Sequence, residues 1–199
     1  RKVGHTGTLD PMATGVLPIA LSNCTRFIDL LPVHDKGYVA TARLGVTTDT
    51  LDSTGTVLSE SEVKVTREQL ESVLKKYTGE IEQIPPMYSA ISKDGKRLYE
   101  LARQGIEIER EARKITIYSL SLGSFDGDCF SISVECSAGT YIRSLIDDIG
   151  KDLGCGAIMT DLRRTSANGF SINNCVTLEE LEKAVNDGMA DKYLSLIHI

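Results

Sequence analysis

Phe130-Ser131-Ile132-Ser133-Val134-Glu135-Cys136, followed at once by Ser137-Ala138-Gly139-Thr140-Tyr141-Ile142-Arg143-Ser144-Leu145-Ile146-Asp147-Asp148-Ile149-Gly150, sets the fold class of this chain. The first seven residues alternate apolar and polar, the period of a strand with one buried face. The second run passes through a glycine-containing turn straight into a helix. Thr140 is the expected N-cap and Gly150 the expected stop. Tyr141 and Arg143 then fall in the first helical turn, at the edge of a sheet, where side chains often face a ligand cleft. An arginine at that place opposes the helix dipole, which argues against an ordinary surface role.

Outward from this unit the pattern stays strand-rich. Downstream, Met159 to Ser171 reads as a strand and turn with Arg163 and Arg164 adjacent, and Leu178 to Asn186 as an amphipathic helix. Upstream, Ile115 to Leu120 and Ile106 to Glu109 alternate like strands, and Leu98 to Gln104 is a short helix stopped by Gly105. The prolines of Ile84-Pro85-Pro86 make Gly79 to Ala90 an irregular linker. Thr66 caps a helix over Arg67–Tyr77, with Leu70, Val73, Leu74 and Tyr77 as its apolar stripe. Gly37 to Gly45 is a β-favouring run in which Tyr38, Ala40, Ala42 and Leu44 share one face. Thr47 to Gly55 is a hydroxyl-rich loop that either lines a site or is simply solvated. Val16 to Leu31 is apolar enough for a buried segment, built as a short strand, a turn near Ser22-Asn23 and a short helix. Strands outnumber helices and run consecutively, so the class is α+β, a mixed and mostly antiparallel sheet flanked by helices.

Composition narrows the function classes. A chain of 199 residues, 41% apolar, can bury one core, or a core plus a small inserted lobe. No run of eighteen apolar residues exists, so no membrane partner is expected. Five cysteines, odd in number and without CxxC spacing, point away from zinc and disulfides and towards a reducing cytoplasm. The net charge of −6 argues weakly against nucleic acid. Lys93 to Lys114, however, holds seven basic against five acidic side chains, so one basic lobe could still hold an RNA. The chain opens at Arg1 inside a motif-like segment, which suggests a fragment.

That segment is Gly4-His5-Thr6-Gly7-Thr8-Leu9-Asp10-Pro11-Met12-Ala13-Thr14-Gly15-Val16-Leu17. It is too rich in backbone breakers for a helix or strand. Pro11 keeps Asp10 off helical φ/ψ, so its carboxylate sits on an extended or turning backbone. Such a carboxylate, near a histidine and glycines, suits chemistry on a bound ligand. The plainer alternative is an Asx-turn that only bonds nearby backbone.

The Gly4–Leu17 run resembles the catalytic motif of the TruB family of tRNA pseudouridine synthases, and four more blocks agree in family order. They are Lys36-Gly37-Tyr38 to Leu44-Gly45, Gln83-Ile84-Pro85-Pro86 with Tyr88-Ser89-Ala90, Gly139-Thr140-Tyr141-Ile142-Arg143-Ser144-Leu145, and Leu162-Arg163-Arg164-Thr165 with Gly169-Phe170. The resemblance implies isomerisation of a T-loop uridine of tRNA to pseudouridine, with the uracil detached from its N-glycosidic bond, turned and rejoined through carbon. It makes Asp10 the essential carboxylate, leaving open attack on the sugar, attack on the base, or a glycal route. It pairs Arg143 with Asp10, and stacks Tyr38 on the target base in a position suited to proton transfer. Tyr141 and Leu162 become pocket walls, with core packing an alternative for Leu162. His5 fills the space left by the flipped base, and Asp52 joins the polar network. The block from Tyr88 to Lys114 becomes an inserted RNA-gripping lobe with Lys93, Lys96, Arg97 and Arg103 as phosphate contacts.

On the same resemblance residues 1–181 form the catalytic domain, and 182–199 a helix end and a tail whose Leu194–Ile199 shows no family pattern. The expected partner is the T-arm stem-loop of tRNA, taken up by a cytoplasmic monomer that needs neither metal nor organic cofactor. The family's upstream lysine-proline segment and its C-terminal RNA-binding domain are expected to be missing, with an exposed apolar sheet edge and lowered stability. Weaker alternatives are a relative that works inside a guide-RNA particle, an inactive RNA-binding module, and a glycosidase, for which no second acid stands out.

Overall fold

The computed structural model describes residues 2–93 and 95–193. In chain order its strands are β1 (Val3–His5), β2 (Thr14–Gly15), β3 (Ile19–Leu21), β4 (Lys36–Leu44), β5 (Val46–Thr48), β6 (Val57–Glu60) and β7 (Gly79–Gln83). They continue as β8 (Ser92–Lys93), β9 (Lys96–Arg97), β10 (Arg113–Asp126), β11 (Cys129–Cys136), β12 (Ala157–Ala167) and β13 (Phe170–Ser171). The helices are α1 (Arg67–Lys76), α2 (Leu98–Arg103), α3 (Ile142–Asp152) and α4 (Leu178–Asn186). None of the described helices is long and apolar enough to cross a membrane.

The central sheet runs β13-β12-β4-β11-β10-β7, with β2 added to β12. Among the described strands of this sheet the β2–β12 pairing alone is parallel, so the mixed, mostly antiparallel α+β sheet expected from the sequence is what forms. Strand alternation buries one face. Tyr38, Ala40, Ala42 and Leu44 of β4 join Phe130, Ile132, Val134 and Cys136 of β11 in the core, beneath α1 and α3. Thr66 closes the expected capping box on α1, with Gln69 as the third helical residue.

Two details of this platform escape periodicity. In β12 the register shifts between Met159 and Asp161, and again between Arg164 and Ser166. Each shift inserts an extra residue and reverses which side chains face inward. Met159, Leu162 and Arg164 are therefore all buried; without the first bulge Arg163 would take the inner face. The second detail is Gly150, which does not stop α3. The helix runs to Asp152, and Gly154, at φ +78°, follows it. A Cβ on Gly150 would stand 2.2 Å from the amide nitrogen of Ala157, so this glycine lets helix and strand touch. Nor does Thr140 cap α3: the N-cap is Tyr141, and the Thr140 hydroxyl donates to the Ser137 carbonyl.

Other expectations need correction. Ile106 to Glu109 forms no strand, because no neighbouring strand offers it a ladder. Gly79–Gln83 is a strand rather than linker, the sheet edge paired with β10. The last pair of that ladder is Gln83 with Arg113, so Arg113 and Lys114, expected in the inserted lobe, pair in the sheet, and residues 84–112 lie between its two strands. Of Val16 to Leu31 only Val16 is buried. Ile19, Leu21, Phe27 and Leu30 remain exposed on the two-stranded β1–β3 sheet and the 3₁₀ turn after it. The tail Leu194–Ile199 lies outside the described residues.

Gly150→Ala separates two opposing effects. Helix propensity alone would raise stability by about 1 kcal/mol, whereas forcing a methyl into the Ala157 backbone should cost about 2 kcal/mol or more net. The urea midpoint is expected to fall; a raised midpoint would show that α3 does not pack this closely on β12.

Candidate active site

Asp10 lies in an irregular loop held against the N-terminal turn of α3. The loop turns back after it, the Ala13 amide donating to the Asp10 carbonyl. Its carboxylate does not form an Asx-turn. It meets Arg143 side-on, Nε to Oδ2 at 3.0 Å and Nη2 to Oδ1 at 2.8 Å. This is the bidentate geometry that fixes how a carboxylate points. Arg143 is 5% exposed, while the Asp10 side chain keeps 29% of its surface open. The anion is thus anchored from the protein side and approachable from the other.

Arg143 has three more N–H groups to satisfy. Nη1 donates to the Thr50 carbonyl at 3.0 Å and lies 3.6 Å from Asp52 Oδ2. Nη2 also donates to the Tyr88 carbonyl at 2.8 Å. The hydroxyl-rich loop therefore lines the site instead of being merely solvated. Buried Asp52 is shaped by its neighbours, its Oδ1 accepting from the Thr50 hydroxyl, the Thr54 amide and the Thr54 hydroxyl. Its main chain bridges to Met159, which ties the loop to β12.

The helix carrying Arg143 is pinned at its start. Gln83, buried at the end of β7, donates through Nε2 to the Tyr141 carbonyl at 3.0 Å. Its Oε1 accepts from the Tyr141 amide at 2.8 Å. Ser144 donates to the Ile84 carbonyl. The root of the inserted lobe and the N-terminus of α3 are thus one assembly. No acidic residue occupies the first turn of α3; Asp10, delivered by Arg143, brings the negative charge that a helix N-terminus favours.

Tyr38 stands on the inner face of β4, opposite Val134 of β11 and Arg164 of β12. Burial, before any charge effect, pushes its phenol up to about 12, so it holds its proton at neutral pH. Burial likewise raises the half-buried Tyr141 phenol. Leu162 packs into the core cluster that also contains Tyr38, Ala40 and Ile142. His5 is exposed on β1, and its side chain makes no hydrogen bond among the described residues.

Lys93, Lys96, Arg97 and Arg103 are exposed, yet most are engaged locally. Lys93 donates to the Glu109 carbonyl, Arg97 to the Ala90 carbonyl, and Arg103 lies over the Tyr99 ring. Lys96 has no such partner among the described residues. The described residues contain no cluster of three or more His, Cys, Asp or Glu able to hold a metal. Reading the sequence did not single out Gln83, the Thr50 and Tyr88 carbonyls, or Arg164. Gln83 and Arg164 stood inside recognised blocks, but nothing in their spacing gave the direction of their side chains.

Comparison with known proteins gives this geometry a context. A family model described as TruB family pseudouridylate synthase (N terminal domain) matches residues 1–142. A second, described as tRNA pseudouridylate synthase B C-terminal domain, matches residues 143–197. That second match carries the family likeness into the tail, where sequence reading found none. The proteins named tRNA pseudouridine synthase B of Azoarcus sp. and Pseudomonas fluorescens are 53% and 54% identical over 98% and 94% of the chain. The chain spans 66% and 61% of their lengths. Among solved structures, a Cbf5-Nop10-Gar1 complex superposes with a TM-score of 0.73 at 32% identity, covering 97% of this chain and 50% of that one. An H/ACA RNP bound to a substrate RNA containing 2'-deoxyuridine gives 0.69 at 30%, covering 97% and 49%.

Alkaline stability checks the burial of Tyr38. The unfolded chain loses this phenol proton near pH 10 and the folded chain at about 12. Between those values the unfolded state binds fewer protons, so stability falls as pH rises. The Tyr38 contribution is intact below pH 10, roughly 1 kcal/mol smaller by pH 11, and lost as pH passes 12. Urea unfolding at pH 9 and 11 should show a smaller drop for Tyr38→Phe than for the parent. Equal drops would mean that Tyr38 is not desolvated.

Proposed function

The chain belongs to the TruB family of pseudouridine synthases, and from that premise we propose that it converts a uridine in the T-loop of tRNA to pseudouridine. The observation that carries this reading is the buried arginine gripping a solvent-approachable aspartate on the family's motif. In the reaction the N1–C1′ bond breaks, the uracil turns, and a C5–C1′ bond forms. C5 loses a proton and N1 gains one, so no electrons enter or leave and no cofactor is required.

Asp10 is the reacting carboxylate in this reading. Attack on the sugar, attack on the base and a glycal route all need it ionised in a site short of water, and an adjacent guanidinium favours the ionised form. Each carboxylate oxygen spends one lone pair on Arg143 and keeps another for the substrate. Tyr38, protonated and buried beside this region, stacks on the uracil as a proton donor rather than as a phenolate. Tyr141 and Leu162 wall the pocket, Asp52 holds Arg143 from behind, and His5 fills the gap in the RNA stack once the base is flipped. Flipping costs a few kcal/mol, offset in part by such stacking.

The inserted lobe closes on the T-arm through its phosphates. Lys96 has no side-chain partner among the described residues, whereas Lys93, Arg97 and Arg103 would have to exchange local partners for phosphate oxygens. In this reading residues 1–181 act as the catalytic domain of a cytoplasmic monomer. A role inside a guide-RNA particle is the weaker alternative, since identity to the Cbf5-Nop10-Gar1 and H/ACA RNP structures is 32% and 30% against more than 50% to proteins named tRNA pseudouridine synthase B.

The test is pseudouridine formation in an unmodified tRNA transcript and in an isolated T-arm stem-loop, by the parent and by Asp10→Asn. Product in both RNAs is expected from the parent alone, with RNA affinity of the variant kept within about threefold. Modification by Asp10→Asn would refute the role of Asp10; no product from the parent would refute the activity of this chain.

A further inference from the structure

We propose that Arg164 is the positioning residue of the Asp10 loop, the group that fixes where the carboxylate stands while Arg143 fixes how it points. The inference deepens the reading of Asp10 as the reacting group and rests on it. Arg164 is 1% exposed and is the largest fully buried side chain among the described residues. Its Nε donates to the Val16 carbonyl at 2.6 Å, Nη2 to the Gly7 carbonyl at 3.3 Å and Nη1 to the Thr8 carbonyl at 3.5 Å. Its own carbonyl accepts from the Val16 amide at 2.9 Å. One residue therefore fastens the chain on both sides of Asp10, at Gly7 and Thr8 before it and at Val16 after it.

Apart from the Arg143 contact with Asp10 and the short β2–β12 pairing, little else holds this stretch. Between Thr6 and Ala13 there is no helix or strand, only bends and a turn. The Gly7, Thr8 and Val16 carbonyls turn inward, and a buried carbonyl without a donor is costly. Gly15 records the closeness of the grip. At φ +104°, it lies where an added Cβ would be 2.1 Å from the Arg164 carbonyl oxygen.

Arg164 is also an unusual choice if fold stability were its whole purpose. Among the described residues no carboxylate lies within ion-pair distance of it, unlike Arg143. A second cation stands nearby: Lys36, whose Nζ would be 4.0 Å from a Cβ on Gly7. Burial and then Arg164 hold the Lys36 ammonium below its ordinary pKa. A buried guanidinium with no carboxylate partner, solvated by carbonyl dipoles and the neighbouring Tyr38 phenol and with a like charge beside it, is less favourable for folding than an apolar side chain of equal volume. What an apolar residue cannot do is hold three carbonyls on opposite sides of one aspartate.

The experiment uses the full 199-residue chain with Arg164→Met and Arg164→Lys. Two quantities are read: initial rates on the unmodified tRNA transcript across concentration, and amide hydrogen exchange of peptide 4–17 against peptide 129–136 of the sheet. For Arg164→Met the saturated rate should fall about 100-fold, as expected for a displaced reacting group. The half-saturating tRNA concentration should move by less than about threefold. Peptide 4–17 should exchange faster while 129–136 keeps its protection, and Arg164→Lys should recover part of both effects. Parental rate and exchange in Arg164→Met would overturn the proposal. So would loss of protection in both peptides, or a variant with no folded baseline, because either marks a residue that holds the whole fold. If the parent forms no pseudouridine, the assigned reaction fails, while the exchange comparison still decides whether Arg164 holds the loop.

Discussion

A buried guanidinium has five N–H groups, and none can be left without a partner cheaply. Arg143 meets this condition by drawing three separate parts of the chain to one point. The N-terminal loop supplies both oxygens of Asp10, the hydroxyl-rich loop supplies the Thr50 carbonyl and Asp52, and the lobe root supplies the Tyr88 carbonyl. A single ion pair at this depth would not by itself stabilise the protein. Two carboxylates and two carbonyls make the cation tolerable, and their convergence makes the site. Fold and function here share one constraint.

The sheet is the platform that makes the convergence possible. Antiparallel pairing brings Val134, Tyr38 and Arg164 into one row across β11, β4 and β12. The contact of Gly150 with Ala157 seats α3 on that sheet, and the clamp of Gln83 on Tyr141 sets where the helix begins. From these two fixings the height and direction of Arg143 follow. The two arginines then divide the work on Asp10, Arg143 on its carboxylate and Arg164 on the chain either side.

Much of this was legible in the sequence, for physical reasons that can be named. A one-faced sheet must alternate, so β4 and β11 could be read from their period, and the Thr66–Gln69 capping box announced α1. The Asp10–Arg143 pair was legible only because five ordered blocks resembled a family; local chemistry alone left an Asx-turn open. What could not be read depends on partners distant in sequence. The bulge after Met159 decides that Arg164 rather than Arg163 faces inward, and periodicity has no access to a bulge. Ile106 to Glu109 alternates but has no neighbour to pair with. The apolar residues between Ile19 and Leu30 suggested burial, yet no described element covers them. Gly150 looked like a helix stop because close packing and termination use the same residue.

The measurement that bears most directly on Arg143 as the shared cation is a double-mutant cycle on stability with Arg143→Met and Asp52→Asn. Arg143→Met alone should cost about 3–5 kcal/mol, since it leaves carboxylates facing a site without a cation. Asp52→Asn should destabilise the parent but stabilise the Arg143→Met variant, a reversal of sign that only coupling through one guanidinium produces. If Asp52→Asn has the same sign and size in both backgrounds, the two carboxylates do not share Arg143, and the site is not built around a single cation.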